Sequence, residues 1–313
     1  MAMVLTATAP TDSNPALPAG VIFPADALAL VTHWVRQKPN APALLHKQHG
    51  RWGAWCWSDV AQAIAQRRDA LAQQGLGTQA RLALSGALEP QLVLLALAAH
   101  GAGATVIAID RHAQGVALRE LLHAAEPTHA FVQDRKTIST WIGSGHANAA
   151  LVPLYSAQPV AHDSGSWHIV PLTDLLGTAP KPTATGKHSS LHQHPVLWVD
   201  EGTEWAGGLE QTLAAWLEHG ATLAAPEVSA AATRDRHEIQ PQRILASAAR
   251  QQQLQAQLRT RLASPGSWQR RLSDHAARQP DGLLSAWLLR RIARLHGLPA
   301  QPKAHGTTTK ATA

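Results

Sequence analysis

Residues 80–110 read "ARLALSGALEPQLVLLALAAHGAGATVIAID", and this stretch decides the fold. "ARLALSG" has the apolar pattern of a buried strand, "PQLVLLALAAHG" that of a helix with Pro90 in its first turn, and "ATVIAID" that of a second strand. Two strands joined by a helix pair in parallel through a right-handed crossover. Both faces of such a sheet are covered, which explains the continuous apolar runs. His100, Gly101 and Gly103 interrupt the apolar run of residues 92–109. We therefore interpret this run as a buried helix followed by a strand, and expect no membrane span.

The segments on both sides extend this alternation. Upstream, "DALALVTHWVRQKPN" predicts a helix with Asp26 as its cap and Pro39 as its stop. "APALLHKQHGRWGAWCW" predicts two strands around a "QHG" turn, followed by a helix that Ser58 caps and Gly75 ends. Downstream, "VALRELLHAAEP" predicts a helix and "THAFVQD" a strand. The order predicts an α/β fold with a parallel sheet.

From about residue 140 to 195 the sequence is rich in small, polar and helix-breaking residues, which predicts loops, and it contains two strand-sized pieces, "ALVPLYS" and "WHIVPL". After it, "HPVLWVDEG" and "ATLAAPE" predict strands, and "WAGGLEQTLAAWLEHG" predicts a helix that Gly220 ends. "ILASAARQQQLQAQLRTRL" and "LLSAWLLRRIARLHG" predict amphipathic helices. We therefore divide the chain into a flexible tail (1–25), a first α/β subdomain (26–140), a loop-rich linker (141–195), a second α/β subdomain (196–306) and a disordered tail (307–313).

Composition limits the environment and the partners. Basic residues outnumber acidic ones by 27 to 21, which favours anionic partners only moderately. The single cysteine, Cys56, excludes an internal disulfide and suits a reducing compartment, and the first residues lack a secretory signal. We therefore expect a cytoplasmic protein. The tryptophans in apolar periodic segments are predicted to pack in the core, and they are Trp34, Trp52, Trp55, Trp57, Trp205 and Trp216.

Several segments resemble one enzyme family in the same order. They are "RWGAWCWSDVAQAIAQRRDALAQQGLGTQARLALSGALEPQLVLLALAAHGAGATVIAID", "ALRELLHAAEPTHAFVQD", "LEHGATLAAPE", "EIQPQRILASAAR" and "LLRRIARLHGLPAQPKAHG". This order resembles the acyl-CoA synthetases and other adenylate-forming (AMP-binding) ligases, particularly the long-chain fatty acyl-CoA synthetase branch. The resemblance implies the parallel-sheet α/β domain of that type with a second α/β half. It also implies ATP with magnesium and coenzyme A as cofactors, and a fatty acid or acyl-CoA as ligand.

The phosphate loop of that family is the first point of departure. "GTAPK" supplies Gly177, Thr178 and Lys181, which the resemblance places in the loop that holds the triphosphate. The middle of the family's loop and the hydroxyl run before it are missing, so we interpret these residues as a vestigial site. The neighbouring "TATGKHSS" is not a Walker loop, because His188 follows Lys187 where serine or threonine is required.

Other family positions depart as well. In "VLWVDEGTEW" the register puts Glu201 where the family has histidine and keeps Glu204, while Arg250 is displaced by one place in "SAAR". The likeness ends near Gly306, so we expect no counterpart of the lid domain with its catalytic lysine. Glu204 and Gly306 are candidate cofactor-binding residues by resemblance, and no residue is assigned a catalytic role.

The sequence leaves several functions open. The first hypothesis is a non-catalytic homologue that binds an acyl group, a nucleotide or a partner such as a full-length relative. The alternatives are an active fatty acid–CoA ligase fragment that needs a partner chain, a scaffold protein, and a nucleic-acid binder that uses the arginines of its C-terminal helices. The last is not favoured. His188, His192 and His194 lie close together without a further ligand at a suitable spacing, so no metal site is predicted.

Overall fold

The computed structural model describes residues 20–147, 151–158, 162–176, 183–184 and 194–261. The helices are α1 (Ala27–Gln37), α2 (Trp57–Gln73), α3 (Pro90–Gly101), α4 (Gly115–Ala125), α5 (Arg135–Gly143), α6 (Leu172–Leu176), α7 (Gly208–His219), α8 (Ala232–Ile239) and α9 (Ala248–Arg261). The strands are β1 (Pro42–Gln48), β2 (Arg51–Cys56), β3 (Arg81–Ser85), β4 (Thr105–Ala108), β5 (His129–Val132), β6 (Val152–Ser156), β7 (His162–Ser164), β8 (Trp167–Pro171), β9 (Thr183–Ala184), β10 (Val196–Val199), β11 (Thr222–Ala225) and β12 (Arg243–Leu245).

The first sheet grows from the stretch that opened the sequence analysis. Its strand order is β4-β3-β5-β6-β8-β7, and all its neighbouring pairs are parallel except β7 with β8. The strand-sized pieces after residue 140 form β6 and β8 and lie in this sheet. Its β4 edge is met by Val21, whose backbone N–H donates to the Val106 carbonyl oxygen at 2.7 Å. The expectation of parallel strands joined by helices is confirmed.

The second sheet joins the early and late parts of the chain. Its order is β12-β10-β11-β1-β2-β9, with β1 parallel to β11 and antiparallel to β2. The predicted turn between β1 and β2 is present, and His49 and Gly50 adopt positive φ values of 49° and 73°. Two consecutive residues with positive φ match the right-handed twist of a two-residue hairpin. The molecule is therefore a mixed α/β protein built on two sheets.

Helix α3 lies at the centre of the largest hydrophobic cluster. Nine of its residues, from Pro90 to Ala99, are buried, so the helix is apolar on every side. Trp57 and Trp216 stack beside it with ring centroids 5.3 Å apart. The prediction of core tryptophans is confirmed for five of the six, whereas Trp34 is half-buried. Within the described chain no helix is both long and apolar enough to cross a bilayer.

Helix α1 is fastened to the end of α7. The indole N–H of Trp34 donates to the Leu217 carbonyl oxygen at 2.6 Å, and Lys38 Nζ donates to the Gly220 carbonyl oxygen at 2.6 Å. These donors satisfy carbonyls that the end of a helix leaves without partners. Gly220 itself has φ 55°, as predicted for a C-terminal cap, and a Cβ there would lie 2.5 Å from the Trp34 ring.

The loops after β3 and β10 join the two sheets. The Thr203 N–H donates to the Gly86 carbonyl oxygen at 2.9 Å, and the Leu88 N–H donates to the Glu201 carbonyl oxygen at 3.1 Å. The backbones approach so closely that a Cβ on Gly202 would lie 2.3 Å from the Gly86 oxygen. This contact sets the distance between the carboxyl ends of the two sheets.

A buried ion cluster ties β1 to α8. Lys47 Nζ lies 2.9 Å from Asp235 Oδ1 and 2.6 Å from Glu238 Oε2, and the Trp52 indole N–H donates to the same Glu238 oxygen at 2.9 Å. The side chains of Lys47 and Asp235 are 4% and 0% exposed. Burial alone would lower the pKa of Lys47, but its hydrogen bonds to Glu238 and Asp235 raise it above the ordinary value. The lysine is therefore held in its charged form.

Four local sequence predictions are corrected. Asp26, predicted to cap α1, makes no side-chain cap. Ser58, predicted to cap α2, lies inside that helix, which begins at Trp57 with Cys56 at its N-cap position, and the Cys56 N–H donates to Asp59. Helix α8 was not predicted, because its residues carry little apolar periodicity. Ile244 and Leu245, predicted as helix, lie in β12 because strand pairing with β10 outweighs local propensity.

Replacing Gly202 by alanine is predicted to lower the free energy of unfolding by about 1–3 kcal/mol, because the added Cβ forces the two loops apart. Gly77→Ala is the matched control, since nothing lies within 4 Å of a Cβ at Gly77 and its φ is not positive. Urea denaturation of both variants measures the difference. Equal stability of the two variants would show that the Gly86–Gly202 approach does not hold the sheets together.

The Lys47→Met variant is predicted to lower the free energy of unfolding by about 3 kcal/mol, because it leaves the buried Asp235 without its main cation. Arg234 stays beside Asp235 and moderates the loss. The control is Arg68→Met, which removes an exposed ion pair with Asp69 and is expected to change stability little. Thermal denaturation at neutral pH distinguishes the two, and a Lys47→Met protein as stable as the control contradicts the prediction.

Candidate ligand site at the carboxyl ends of the strands

A cavity of about 640 Å³ opens where the carboxyl ends of strands from both sheets meet. Its volume falls within the range of about 300–1,000 Å³ that is common for small-molecule sites. Ligands of parallel α/β sheets bind at this end of the strands. The described residues that line it are His46, Lys47, Gln48, His49, Ala87, Leu88, Glu89, Gln91, Arg111, Gln133, Asp134, Ala157, Gln158, Val199, Asp200, Glu201, Ala225, Pro226, Glu227, Val228 and Ser229.

The wall from the first sheet is held in place by Gln133. Its Oε1 accepts the Ala87 N–H at 2.6 Å and thereby fixes the turn that follows β3. On the opposite wall His46 Nε2 lies 3.2 Å from Glu89 Oε2, and both side chains are nearly buried. Because His46 belongs to β1 of the second sheet and Glu89 follows β3 of the first, this contact links the two sheets at the cavity.

Arg111 forms an ion pair with Glu204. Its Nε lies 2.6 Å from Glu204 Oε2, and its Nη2 donates to Oε1 at 2.7 Å. The Gly202 N–H also donates to Glu204 Oε1, at 2.9 Å. The Nη2 contact is a charge-assisted hydrogen bond, which is stronger than a neutral one, and the Nε contact adds charge attraction without a second hydrogen bond. Glu204 therefore neutralises the arginine that reaches the cavity.

Asp200 is fully buried at the end of β10 and binds two arginines. Arg250 donates to it through Nε at 3.1 Å and through Nη2 at 2.7 Å, while Arg236 Nη1 lies 4.0 Å away. The hydrogen bond to Asp200 raises the pKa of Arg250 above its ordinary value. The displaced arginine of the sequence analysis thus serves a carboxylate inside the protein.

Glu201 receives hydrogen bonds from Ser247, and the charges of Glu201 and Arg250 also attract each other and raise the pKa of Arg250. One oxygen of Glu201 accepts the Ser247 backbone N–H at 2.7 Å and the other accepts the Ser247 hydroxyl at 2.6 Å. The Ser247 hydroxyl oxygen in turn accepts the backbone N–H of Arg250 at 3.1 Å, at the start of α9. Burial raises the pKa of Glu201 above its ordinary value, and the nearby Asp200 and Glu204 charges raise it further, against the effect of the Ser247 hydrogen bonds. The carboxylate therefore lies in a negative environment.

The described lining carries more acid than base. It contains five carboxylates against one lysine and one arginine, and the five are Glu89, Asp134, Asp200, Glu201 and Glu227. Lys47 is held by Asp235 and Glu238, and Arg111 by Glu204. Every lysine or arginine of this lining therefore already has a carboxylate partner.

The structure tests the candidate residues unevenly. Gly177, Thr178, Lys181 and Gly306 lie outside the described residues, as do His188 and His192. Glu204 is described and lies behind the cavity wall, bound to Arg111. The resemblance named Glu201 only as a departure from a family histidine, and the structure places Glu201 in the lining.

Lys47, Glu89 and Arg111 were missed as site residues by sequence reasoning. The signal that could have found them is position, since each lies at or just beyond the carboxyl end of a parallel strand. Glu89 directly precedes Pro90 at the start of α3, and Arg111 follows the "ATVIAID" strand. Their partners are distant in sequence, which is why their charges could not be matched from the sequence.

Comparison with known proteins places this geometry in context. Residues 31–183 match the sequence model of the AMP-binding enzyme family. A comparison with curated proteins finds none similar in sequence to this chain.

Solved structures with the same fold are adenylation and ligase proteins. The adenylation domain of a carboxylate reductase from Mycobacterium chelonae aligns with a TM-score of 0.57 and 15% identity, over 91% of this chain and 53% of that domain. A putative long-chain-fatty-acid CoA ligase from Rhodopseudomonas palustris gives 0.52 and 15%, over 71% and 63% of the two chains. Acetoacetyl-CoA synthetase from Streptomyces lividans gives 0.54 and 16%, over 74% and 44%.

This chain spans only 44–63% of the length of those structures. Identities of this size support the fold and leave the activity open. In fold, and in the sequence of residues 31–183, the chain is similar to the adenylation domains of AMP-binding enzymes.

Proposed function

We propose that this protein is an acyl-CoA synthetase-like chain that binds a small organic ligand in the cavity and does not activate carboxylic acids with ATP on its own. The observation that carries the proposal is the pairing of Lys47 and Arg111, the two permanent cations of the described lining, with carboxylates of the protein itself. The match of residues 31–183 to the AMP-binding enzyme family supports the acyl-CoA synthetase-like part of the proposal.

Adenylate formation from ATP requires unpaired positive charge, and the described lining has none among its lysines and arginines. Adenylate formation needs donors and cations aimed at a polyphosphate and at the charge that develops during transfer. In the described lining Lys47 and Arg111 are both paired with carboxylates, and the charges of Glu201 and Glu227 would repel a polyphosphate. The cofactors that the family implies, ATP with magnesium and coenzyme A, are therefore not proposed as ligands of this cavity.

The departure at Glu201 supports the same proposal. The resemblance places a histidine at this position, which can donate a hydrogen bond when a carboxylate cannot. Glu201 instead accepts two hydrogen bonds from Ser247. A carboxylate there repels the carboxylate of a fatty acid, so the finer assignment to the long-chain branch, and to fatty acid metabolism, remains a prediction of the sequence.

The first test is catalytic. Purified protein mixed with ATP, magnesium and either octanoate or palmitate is expected to release no pyrophosphate above a blank without fatty acid, because the described site offers no unpaired cation to the triphosphate. An intact fatty acyl-CoA ligase assayed in parallel is the positive control. Fatty-acid-dependent turnover comparable to that ligase would overturn the proposal.

A second test examines the reason for the expected inactivity. Glu204→Gln removes the charge that neutralises Arg111 while keeping the side-chain shape, so the variant is expected to gain a rise in melting temperature with ATP that the parent protein lacks. Glu218→Gln, an exposed change on α7, is the matched control and should behave like the parent. An ATP-induced rise already present in the parent would show that the pairing of Arg111 does not exclude the nucleotide.

A further inference from the structure

Residues 20–24, which we call the strap, lie along the outer edge of the first sheet. The strand at that edge is β4. Gly20 forms an antiparallel bridge with Ile107, and the Val21 N–H donates to the Val106 carbonyl oxygen at 2.7 Å. An uncovered edge strand presents unpaired N–H and C=O groups to other chains, and proteins often cover such an edge with a loop. The strap therefore covers part of the β4 edge.

The strap is attached to the rest of the molecule mainly through its side chains. The Phe23 ring stacks on the His100 imidazole, with ring centroids 4.1 Å apart and ring planes 6° from parallel. Val21 and Phe23 pack against the largest hydrophobic cluster, whereas Ile22 between them is 78% exposed. In the described chain the strap pairs with β4 only at Gly20 and Val21. The Phe23–His100 stack is therefore a large part of the attachment.

His100 lies in the last turn of α3, in surroundings with little charge. The strap, β4 and the other residues of α3 contain no ionisable side chain. At the adjacent Gly101, α1 presents Leu28 and α2 presents Arg68, whose guanidinium is paired with Asp69. Burial lowers the pKa of His100 below its ordinary value. The imidazole is therefore held in a place that favours its neutral form.

We propose that the strap is a pH-sensitive cover of the β4 edge, which stays docked on a neutral His100 and is released when that imidazole is protonated. Histidine is the side chain whose charge ordinarily changes between pH 5 and 8. Protonation places a charge on a ring that Phe23 and its apolar neighbours shield from water, which is unfavourable without a partner. Release of the strap returns the ring to water and uncovers the outer backbone groups of β4.

The direction of the pH effect follows from the burial of His100. Because Phe23 covers one face of the imidazole, docking of the strap contributes to the burial that lowers the pKa of His100. Protons therefore bind more readily when the strap is undocked. Docking is expected to be strongest above the ordinary histidine pKa of about 6.5 and to weaken as the pH falls below it.

The first test measures the pKa of His100 in the full-length chain. NMR titration of protein with ¹³C-labelled histidine follows each imidazole, and the resonance that is missing from the His100→Phe variant identifies His100. Phe23→Ala removes the stacked ring, so the pKa of His100 is expected to rise toward its ordinary value. Ile22→Ala is the control, because this neighbouring side chain is exposed and should leave the pKa of His100 unchanged.

The second test measures docking of the strap by hydrogen exchange at the Val21 amide, which bonds to Val106. Its protection relative to an unfolded peptide at the same pH is expected to be lower at pH 5 than at pH 7.5. The loss is expected to be about tenfold for a difference of one between the His100 pKa values of Phe23→Ala and the parent. His100→Phe keeps a stacked ring without a titrating group, so its Val21 protection should not change with pH. The control, His123→Phe, replaces an exposed histidine of α4 and should behave like the parent.

Two results would overturn the proposal. One is a His100 pKa that is equal or higher in the parent than in Phe23→Ala, since a higher value would mean that the aromatic face attracts the protonated ring. The other is Val21 protection that is the same at both pH values, or that keeps its pH dependence in His100→Phe. The pKa comparison uses Phe23→Ala and the parent, so it decides the question even where His100→Phe folds poorly.

Discussion

The backbone contact between the loops after β3 and β10 is the constraint on which the rest of the structure depends. A Cβ on Gly202 would collide with the Gly86 carbonyl oxygen, and the neighbouring N–H groups of Thr203 and Leu88 donate hydrogen bonds between the two loops. One loop belongs to the first sheet and the other to the second. Their contact brings the carboxyl ends of both sheets to one place, and the cavity exists because those ends meet there.

The chemical character of the cavity follows from how its charges are paired. Asp235, Glu238 and Glu204 lie behind the lining and hold Lys47 and Arg111, so the cations that reach the cavity serve the fold. Pairing of buried charges is what makes their burial tolerable. The pairs that stabilise the fold therefore also determine how much positive charge the described lining offers to a ligand.

Elements with strong local signals could be predicted from the sequence. The helix–strand alternation of residues 80–110, the turn at His49 and Gly50 and the cap at Gly220 are decided by neighbours in the chain, and the structure confirms them. The strand β12 and the partners of Arg250 were not predictable, because they depend on residues far away in sequence. The candidate site was predictable only in part. The resemblance named Glu204 as a candidate and Glu201 as a departure, but the Arg111–Glu204 pair joins positions 93 residues apart.

The position of β1 has a consequence for how the chain is made. β1 and its hairpin partner β2 are synthesised before β11, yet β1 also pairs with β11, with Leu44 opposite Leu223. The hydrogen bonds that α1 donates to the carbonyls of Leu217 and Gly220 likewise form only after α7 has been synthesised. Contacts of such long sequence separation form late because the loop between them must close first. During translation the first sheet is complete in its parallel core well before the second. Until β11 has been synthesised, β1 therefore has an unpaired strand edge, which is a site for pairing with other chains.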